Sequence, residues 1–217
     1  MKKKFPTKNH KIISICQQKR KKNRYTIKLN NGIVFGISED VFILKNLKVG
    51  KKFSDLELDE IQNKEELFRI KNKAIRLLSY RMRSKNELFQ RLKQNKYNSK
   101  KIAIVIDELE KKNYLNDKEF ATLFIRDRIK NKKLGPYAIR NAIGKHNISP
   151  KVVEEIMFTV YDEFPQESLI VSIIEKRTKL KKEKNTFERK KLIDYLQRKG
   201  YQWDIIKPLL VQEGWFE

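Results

Sequence analysis

The feature that most constrains this chain is an apolar phrase written three times. It reads Leu92-x4-Tyr97-x4-Ile102, then Ile143-x4-Ile148-x4-Val153, then Leu196-x4-Tyr201-x4-Ile206, with offsets of 51 and 53 residues between copies. An apolar pair follows each copy: Val105 and Ile106, Ile156 and Met157, Leu209 and Leu210. Apolar residues at three- and four-residue spacing lie on one face of a helix. A small helix, turn and helix unit cannot bury such a face alone, so successive copies must bury one another's. The phrase therefore predicts a mainly α fold of three tandem three-helix repeats in an elongated array. Such an array offers an extended surface rather than a cleft.

The first sixty residues follow a different pattern. Residues 12–16, 25–29 and 33–37 are short β-rich runs, and Asn31-Gly32 is a dipeptide that tight hairpins favour. They predict a small antiparallel sheet. Ser38-Glu39-Asp40 then starts a short helix, Gly50 breaks the segment, and Ser54-x-x-Glu57 has the spacing of a capping box. The expected organisation is a β-rich N-terminal domain with a short helix at 1–60, followed by repeats at 61–113, 114–163 and 164–217.

Local signals fill in the repeats. Residues 56–81 carry a helical pattern that Met82 and Arg83 end, and Ser84-x-x-Glu87 is a second capping box. Asn116 caps the next helix, with Phe120, Leu123 and Phe124 expected to face its core. Pro136 and Pro150 suit first helical positions, where a missing amide proton costs nothing. Asp204 is expected to cap the last helix, which puts Pro208 in its first turn. Lys96, Asn147 and Gly200 occupy equivalent turn positions; left-handed backbone there is easy for Gly and Asn and harder for Lys.

Charge comes next, because 36% of the residues are charged and the formal net charge is +24. That field favours polyanions or an acidic partner surface. The excess of 38 Lys over 13 Arg, with 16 Asn, fits a polyanion site and a nucleotide-biased genome equally well. One cysteine, Cys16, excludes an intramolecular disulfide and a thiolate zinc site. The basic start lacks an apolar stretch behind it, so a soluble cytoplasmic protein without a membrane segment is expected.

The charge is unevenly placed. Residues 69–101 hold twelve basic side chains and one acid; 126–145 hold seven and one; 176–199 hold eleven and three. Acids gather in the third helices, at Asp107, Glu108, Glu110, Glu154, Glu155, Asp162 and Glu163. One reading is solvated faces whose opposite charges help neighbouring modules attract each other. The other is a basic stripe that follows phosphates. Arg81, Arg83, Arg126, Arg128 and Arg140 are its first candidates for specific contacts, because guanidinium pairs bidentately with phosphate or carboxylate. Phe120, Phe124 and Tyr201 read as core, and Trp203 and Trp215 as core or end caps rather than base-stacking platforms.

Catalytic constellations are missing from the pattern. His10 and His146 stand in unrelated segments, and seven glycines build no phosphate-cradling loop. Asp107-Glu108 and Glu154-Glu155 are adjacent, so on a helix each pair diverges by about 100°. No catalytic, cofactor-binding or metal-binding residue is assigned.

The residues Arg83-Ser84-x-x-Glu87-Leu88, Leu115-x-Asp117-x-x-Phe120-Ala121, Arg126-x-Arg128, Leu134-Gly135-Pro136 and Lys199-Gly200-Tyr201 together resemble the RecX family, regulators of the RecA recombinase. The resemblance covers residues 65–213, and the β-rich start is similar to the extra N-terminal region of longer members. Met82, where the family often has proline, and Lys96, where glycine is usual, depart from the pattern and bear on turn geometry. The resemblance implies a non-catalytic, monomeric modulator that binds the RecA filament along its groove and limits ATP hydrolysis, strand exchange and cleavage of the SOS repressor. By similarity the partner-facing positions are Arg76, Arg81, Arg83, Lys85, Arg91, Arg126, Arg128, Lys132, Lys133 and Arg140. The alternative is a protein that binds single- or double-stranded DNA through the same stripe without RecA. A nuclease is a third class, for which clustered metal ligands are wanting.

Overall fold

The computed structural model describes residues 10–180 and 185–216; the basic start and Lys181, Lys182 and Lys184 of the third basic run lie outside them. The β-rich runs form strands β1 (His10–Gln18), β2 (Lys21–Leu29) and β3 (Val34–Ser38), joined by a two-residue β4 (Lys52–Phe53) without a signal of its own. The sheet is antiparallel with order β3-β2-β1-β4. At the Asn31-Gly32 turn, Gly32 adopts φ 84° and its amide donates to the Leu29 carbonyl at 3.1 Å. Glycine reaches that conformation without a steric penalty.

Helices α1 (Glu39–Leu44) and α2 (Asp55–Tyr80) cover one face of this sheet. Ile12, Ile27, Leu29 and Ile37 close a core with Val41, Leu47, Phe53, Leu58 and Ile61. Both arms of the Ser54 capping box are made: the Glu57 amide donates to Ser54 Oγ at 3.3 Å, and the Ser54 amide to Glu57 Oε2 at 2.8 Å. Ser38 does not use its hydroxyl to cap α1. Its amide and hydroxyl both donate to Glu65 Oε2 at 2.8 Å, and Arg24 meets the other oxygen of that buried carboxylate at 2.8 Å. Residue 60, the expected domain boundary, lies inside α2. The early turns of this helix belong to the core over the sheet, while Ile70 and Ala74 are buried further along it.

The remaining helices are α3 (Lys85–Gln94), α4 (Ser99–Lys111), α5 (Asp117–Lys132), α6 (Pro136–Gly144), α7 (Pro150–Glu163), α8 (Gln166–Leu180), α9 (Thr186–Arg198) and α10 (Trp203–Gln212). With α2 they make three successive triplets. Most of the repeated phrase is core: Leu92, Ile102, Val105, Ile143, Val153, Ile156, Leu196, Tyr201, Ile206 and Leu210 are buried, while Tyr97, Ile148 and Leu209 are half-buried. Lys96, Asn147 and Gly200 take φ of 63°, 55° and 91°. The turn is thus left-handed in every repeat, including the copy where a lysine must bear the strain.

Two compact units result, one holding residues up to Arg81 with Phe89–Lys111, the other Met82–Leu88 with Lys112 onward. Within the second unit α5 to α10 share one continuous core running from Ala121 through Met157 and Ile174 to Trp215. Repeats two and three therefore do not fold as separate beads. Where they meet, the backbones of Gly135 and Gly200 touch. The Gly135 amide donates to the Lys199 carbonyl at 2.7 Å, and the Tyr137 amide to the Gly200 carbonyl at 3.2 Å. The open amides at the start of α6 are so satisfied by the open carbonyls at the end of α9. The end of α5 is closed the same way, by side chains. Lys199 Nζ, Tyr201 Oη and Tyr161 Oη donate to the carbonyls of Lys132, Lys133 and Leu134 at 2.6, 3.1 and 2.7 Å.

Three expectations are corrected. Leu123 is exposed, because the buried line of α5 runs through Ala121, Ile125 and Ile129, and position 123 lies about 200° around the helix from 121. Helix α2 ends at Tyr80, one residue before the expected Arg81, whose backbone is already extended; Met82 and Arg83 lie past its end as expected. Helix α10 starts at Trp203 with Gln202 as its N-cap, which places Pro208 sixth in the helix. There the proline removes the amide that would bond the Asp204 carbonyl.

Candidate functional site

The basic residues singled out by sequence fall into groups with different physical circumstances. Arg76 is exposed on α2, where it shares a face with Arg69 and Lys73 at spacings of three and four. Arg91 is exposed on α3, with Nη1 3.5 Å from Gln94 Oε1. Arg81, in the extended residue after α2, is exposed as well.

Arg83 belongs elsewhere. It is buried and paired with Glu87 one turn on, while Ser84 Oγ accepts the Glu87 amide at 3.1 Å. Neighbouring groups fix the start of α3 to the second repeat. The Lys85 amide donates to Asp117 Oδ1 at 2.8 Å, Asn86 donates to the Lys145 carbonyl at 2.8 Å, and Ser84 Oγ lies 3.0 Å from His146 Nδ1. His146 is buried against the rings of Phe120 and Phe124. The segment from Arg83 to Lys85 thus joins helices, and Arg83 is not presented as a surface contact.

Arg126 and Arg140 are exposed, and each is met by an acid of the same repeat. Arg126 pairs with Glu163; Arg140 reaches both oxygens of Glu154, at 2.7 and 2.9 Å. The hydrogen bond from Arg140 holds the Glu154 carboxyl below the usual carboxylate range. Arg128 pairs with Asp127 at 2.9 Å and lies over the Phe124 ring, 4.7 Å from its centroid. In the first unit Lys71 meets Glu108 and Lys101 meets Glu66. Three acids of the third helices, Glu108, Glu154 and Glu163, therefore answer bases on the helices before them, while in Lys101–Glu66 the base is the one on the third helix. Exposed pairs of this kind are worth about 0–1 kcal/mol each. An arginine can leave such a pair for a phosphate at small cost, arriving already oriented.

Lys132 and Lys133 end α5, and here sequence reasoning missed a grouping. Lys176, Arg177 and Lys199 come to them, and the five line a cavity of about 690 Å³ together with Ser172, Tyr195 and Trp215. The basic run at 176–199 was readable as charge. Its apposition to α5 was not, because it depends on the contact of repeats two and three. Among the described residues no group of three or more His, Cys, Asp or Glu side chains is placed to hold a metal ion. No described helix is long and apolar enough to cross a membrane.

Family models match each repeat in turn: that of the RecX first three-helix domain over residues 71–109, the second over 116–157 and the third over 166–210. The regulatory protein RecX of Bacillus subtilis (strain 168) is 33% identical over 202 residues, 93% of this chain and 76% of the relative. Its namesake from Clostridium botulinum (strain Eklund 17B / Type B) is 28% identical over 209 residues, 95% of this chain and 98% of the relative. A crystal structure of regulatory protein RecX superposes with a TM-score of 0.69 at 21% identity, covering 92% of this chain and 99% of the other. One of RecX from Lactobacillus salivarius gives 0.60 at 23% identity, over 68% and 96%. At those identities the superpositions speak for the fold.

Proposed function

The chain belongs to the RecX family of regulatory proteins, and we propose that it binds the RecA–DNA nucleoprotein filament and restrains its recombinase, ATPase and SOS coprotease activities without chemistry of its own. The observation that carries this reading is the state of the exposed arginines. Arg126, Arg128 and Arg140 are preoriented by weak carboxylate pairs, while Arg76 and Arg91 stand on open helix faces. Arg81, Lys85, Lys132 and Lys133 add to the basic surface. A filament offers phosphates and acidic side chains that compete for such groups. Arg83 drops out of the contact set because its charge is used inside the fold.

The test is RecA-dependent ATP hydrolysis on single-stranded DNA with the protein titrated in. Inhibition is expected near stoichiometry, and Arg126→Glu/Arg128→Glu should weaken it at least tenfold while the fold persists. Unchanged inhibition by that variant removes these arginines from the interface.

A second reading, direct DNA binding without RecA, is favoured by one feature. Arg69, Lys73 and Arg76 form a helical row for which the described residues supply no acidic partner. If this row binds phosphates alone, affinity for bare DNA should fall with salt by roughly 0.7–0.9 in log–log slope per phosphate neutralised. No effect on ATP hydrolysis at stoichiometric protein would leave this reading in place of the first.

A further inference from the structure

The cavity at the end of α5 differs from the Arg126, Arg128 and Arg140 sites in what holds its cations. Arg126, Arg128 and Arg140 are held by carboxylates, which cancel the charge they orient. In the cavity the holding groups are neutral. Lys133 Nζ lies 2.5 Å from Ser172 Oγ, and Lys199 Nζ donates to the Lys132 carbonyl at 2.6 Å. Arg177 rests on the Tyr195 ring, its Cζ 3.7 Å from the centroid, with Lys199 Nζ 5.4 Å from the same centroid. Aromatic rings, hydroxyls and carbonyls fix a cation in place without neutralising it.

Charge counting gives the size of the imbalance. Among the described residues, five cationic side chains line the cavity with one carboxylate, Glu188, which is itself 3.4 Å from Lys191 Nζ. The C-terminal ends of α5 and α8 each contribute the equivalent of about half a negative charge. A surplus of about three positive charges remains, gathered around a space within the usual range for small-ligand pockets, about 300–1,000 Å³. One carboxylate cannot balance that surplus, whereas a short run of phosphates can. Lysines predominate among the lining cations, which suits point-charge recognition of oxygen-rich phosphates more than planar recognition of one carboxylate.

We propose that the cavity lined by Lys132, Lys133, Lys176, Arg177 and Lys199 is a binding site for a compact run of phosphates, of the charge carried by a di- or triphosphate group. It holds three cations already positioned, so little side-chain entropy is lost when the anion enters. The site stands apart from the filament reading, since it needs no recombinase to be occupied.

Trp215 lines the cavity and supplies the readout, with Trp203→Phe removing the other indole. Sodium tripolyphosphate is titrated into the full chain at 0.15 M salt, where the diffuse field of the surface is largely screened. A saturable, one-to-one change in Trp215 fluorescence is expected. Lys132→Gln/Lys176→Gln should weaken it about tenfold or more, through loss of two charge-assisted contacts. Lys93→Gln/Lys100→Gln, the same charge change on exposed residues of α3 and α4, should leave it unaltered. Lys132→Arg/Lys176→Arg must retain binding, which separates lost charge from lost fold. Absence of a saturable response, or equal weakening by both glutamine pairs, overturns the proposal, because binding then follows total charge. Displacement by oligothymidylate assigns the site to the phosphates of a strand. Displacement by ATP but not by the oligonucleotide assigns it to a free phosphorylated ligand; either keeps the chemistry proposed.

Discussion

A Cβ added to Gly135 would stand 2.5 Å from the carbonyl oxygen of Gly200, and one added to Gly200 would stand 2.3 Å from the amide nitrogen of Ala138. The two glycines are 65 positions apart in sequence and form one backbone junction. Both obstructing atoms are main chain, so a methyl group at either site must push α6 and α9 apart. Gly135→Ala and Gly200→Ala are each expected to lower stability by about 2–4 kcal/mol, in the range of overpacked or strained positions. Gly200→Ala should be the worse, since φ 91° adds a conformational penalty. Urea unfolding checks this; a loss below 0.5 kcal/mol by the linear extrapolation would refute it.

The turn at Lys96 gives the opposite sign. Its φ of 63° is left-handed, and the equivalent positions are Asn147 and Gly200. Lys96→Gly relieves strain of about 1–2 kcal/mol and is expected to raise stability by roughly 0.5–1 kcal/mol after the glycine's entropy cost of about 0.5–1 kcal/mol is subtracted. An unchanged or lower unfolding midpoint would contradict this.

The fold should also weaken in alkali through two phenols. Burial raises the Tyr161 and Tyr201 hydroxyls above the ordinary value of 10.0, and each donates its proton to a carbonyl at the end of α5. A folded value above the unfolded one means that the stabilisation is complete below pH 10 and declines as pH climbs from there toward the folded value. Urea midpoints from pH 8 to 11.5 should fall at the upper end. Tyr161→Phe/Tyr201→Phe should start lower, by about 1–3 kcal/mol for two hydrogen bonds and the carbonyls left open, and fall less steeply. Parallel slopes for the two proteins would count against the assignment to these phenols.

Arg126 and Arg83 separate surface from structure. Glu163→Gln releases Arg126 from its exposed pair and is expected to change stability by less than about 1 kcal/mol while strengthening filament inhibition two- to threefold. Arg83→Ala breaks a buried pair and should cost about 2–4 kcal/mol. Thermal unfolding and the ATPase titration, run on both variants, read the two effects independently.

What was legible in the sequence was local and periodic. The Ser54 capping box, the Ser84 and Asn116 caps, the Asn31-Gly32 hairpin and the apolar phrase each rest on residues a few positions apart, so pattern suffices to find them. The charge clusters were visible too, but not their partners. Nothing within residues 126–145 indicates that Arg126 turns to Glu163, and nothing at Lys132 that Lys176 and Lys199 join it. Gly135 and Gly200 read as two turn glycines, because a constraint between backbones leaves no spacing to detect. Leu123 went astray for a related reason: helical periodicity permits several apolar faces, and the packed neighbour selects one.

The closing of α5 by Lys199 and Tyr201 has a consequence for the order in which the molecule is made. The carbonyls of Lys132 and Lys133, at the end of the first helix of the second repeat, wait for donors that leave the ribosome 67 and 68 residues later. Until then those two carbonyls have water to bond in place of Lys199 and Tyr201, and α6 lacks the carbonyls that hold its first amides. The second repeat is therefore completed from downstream. A nascent chain that pauses before Gly200 carries a half-finished module, and the final stretch of synthesis seals two repeats at once.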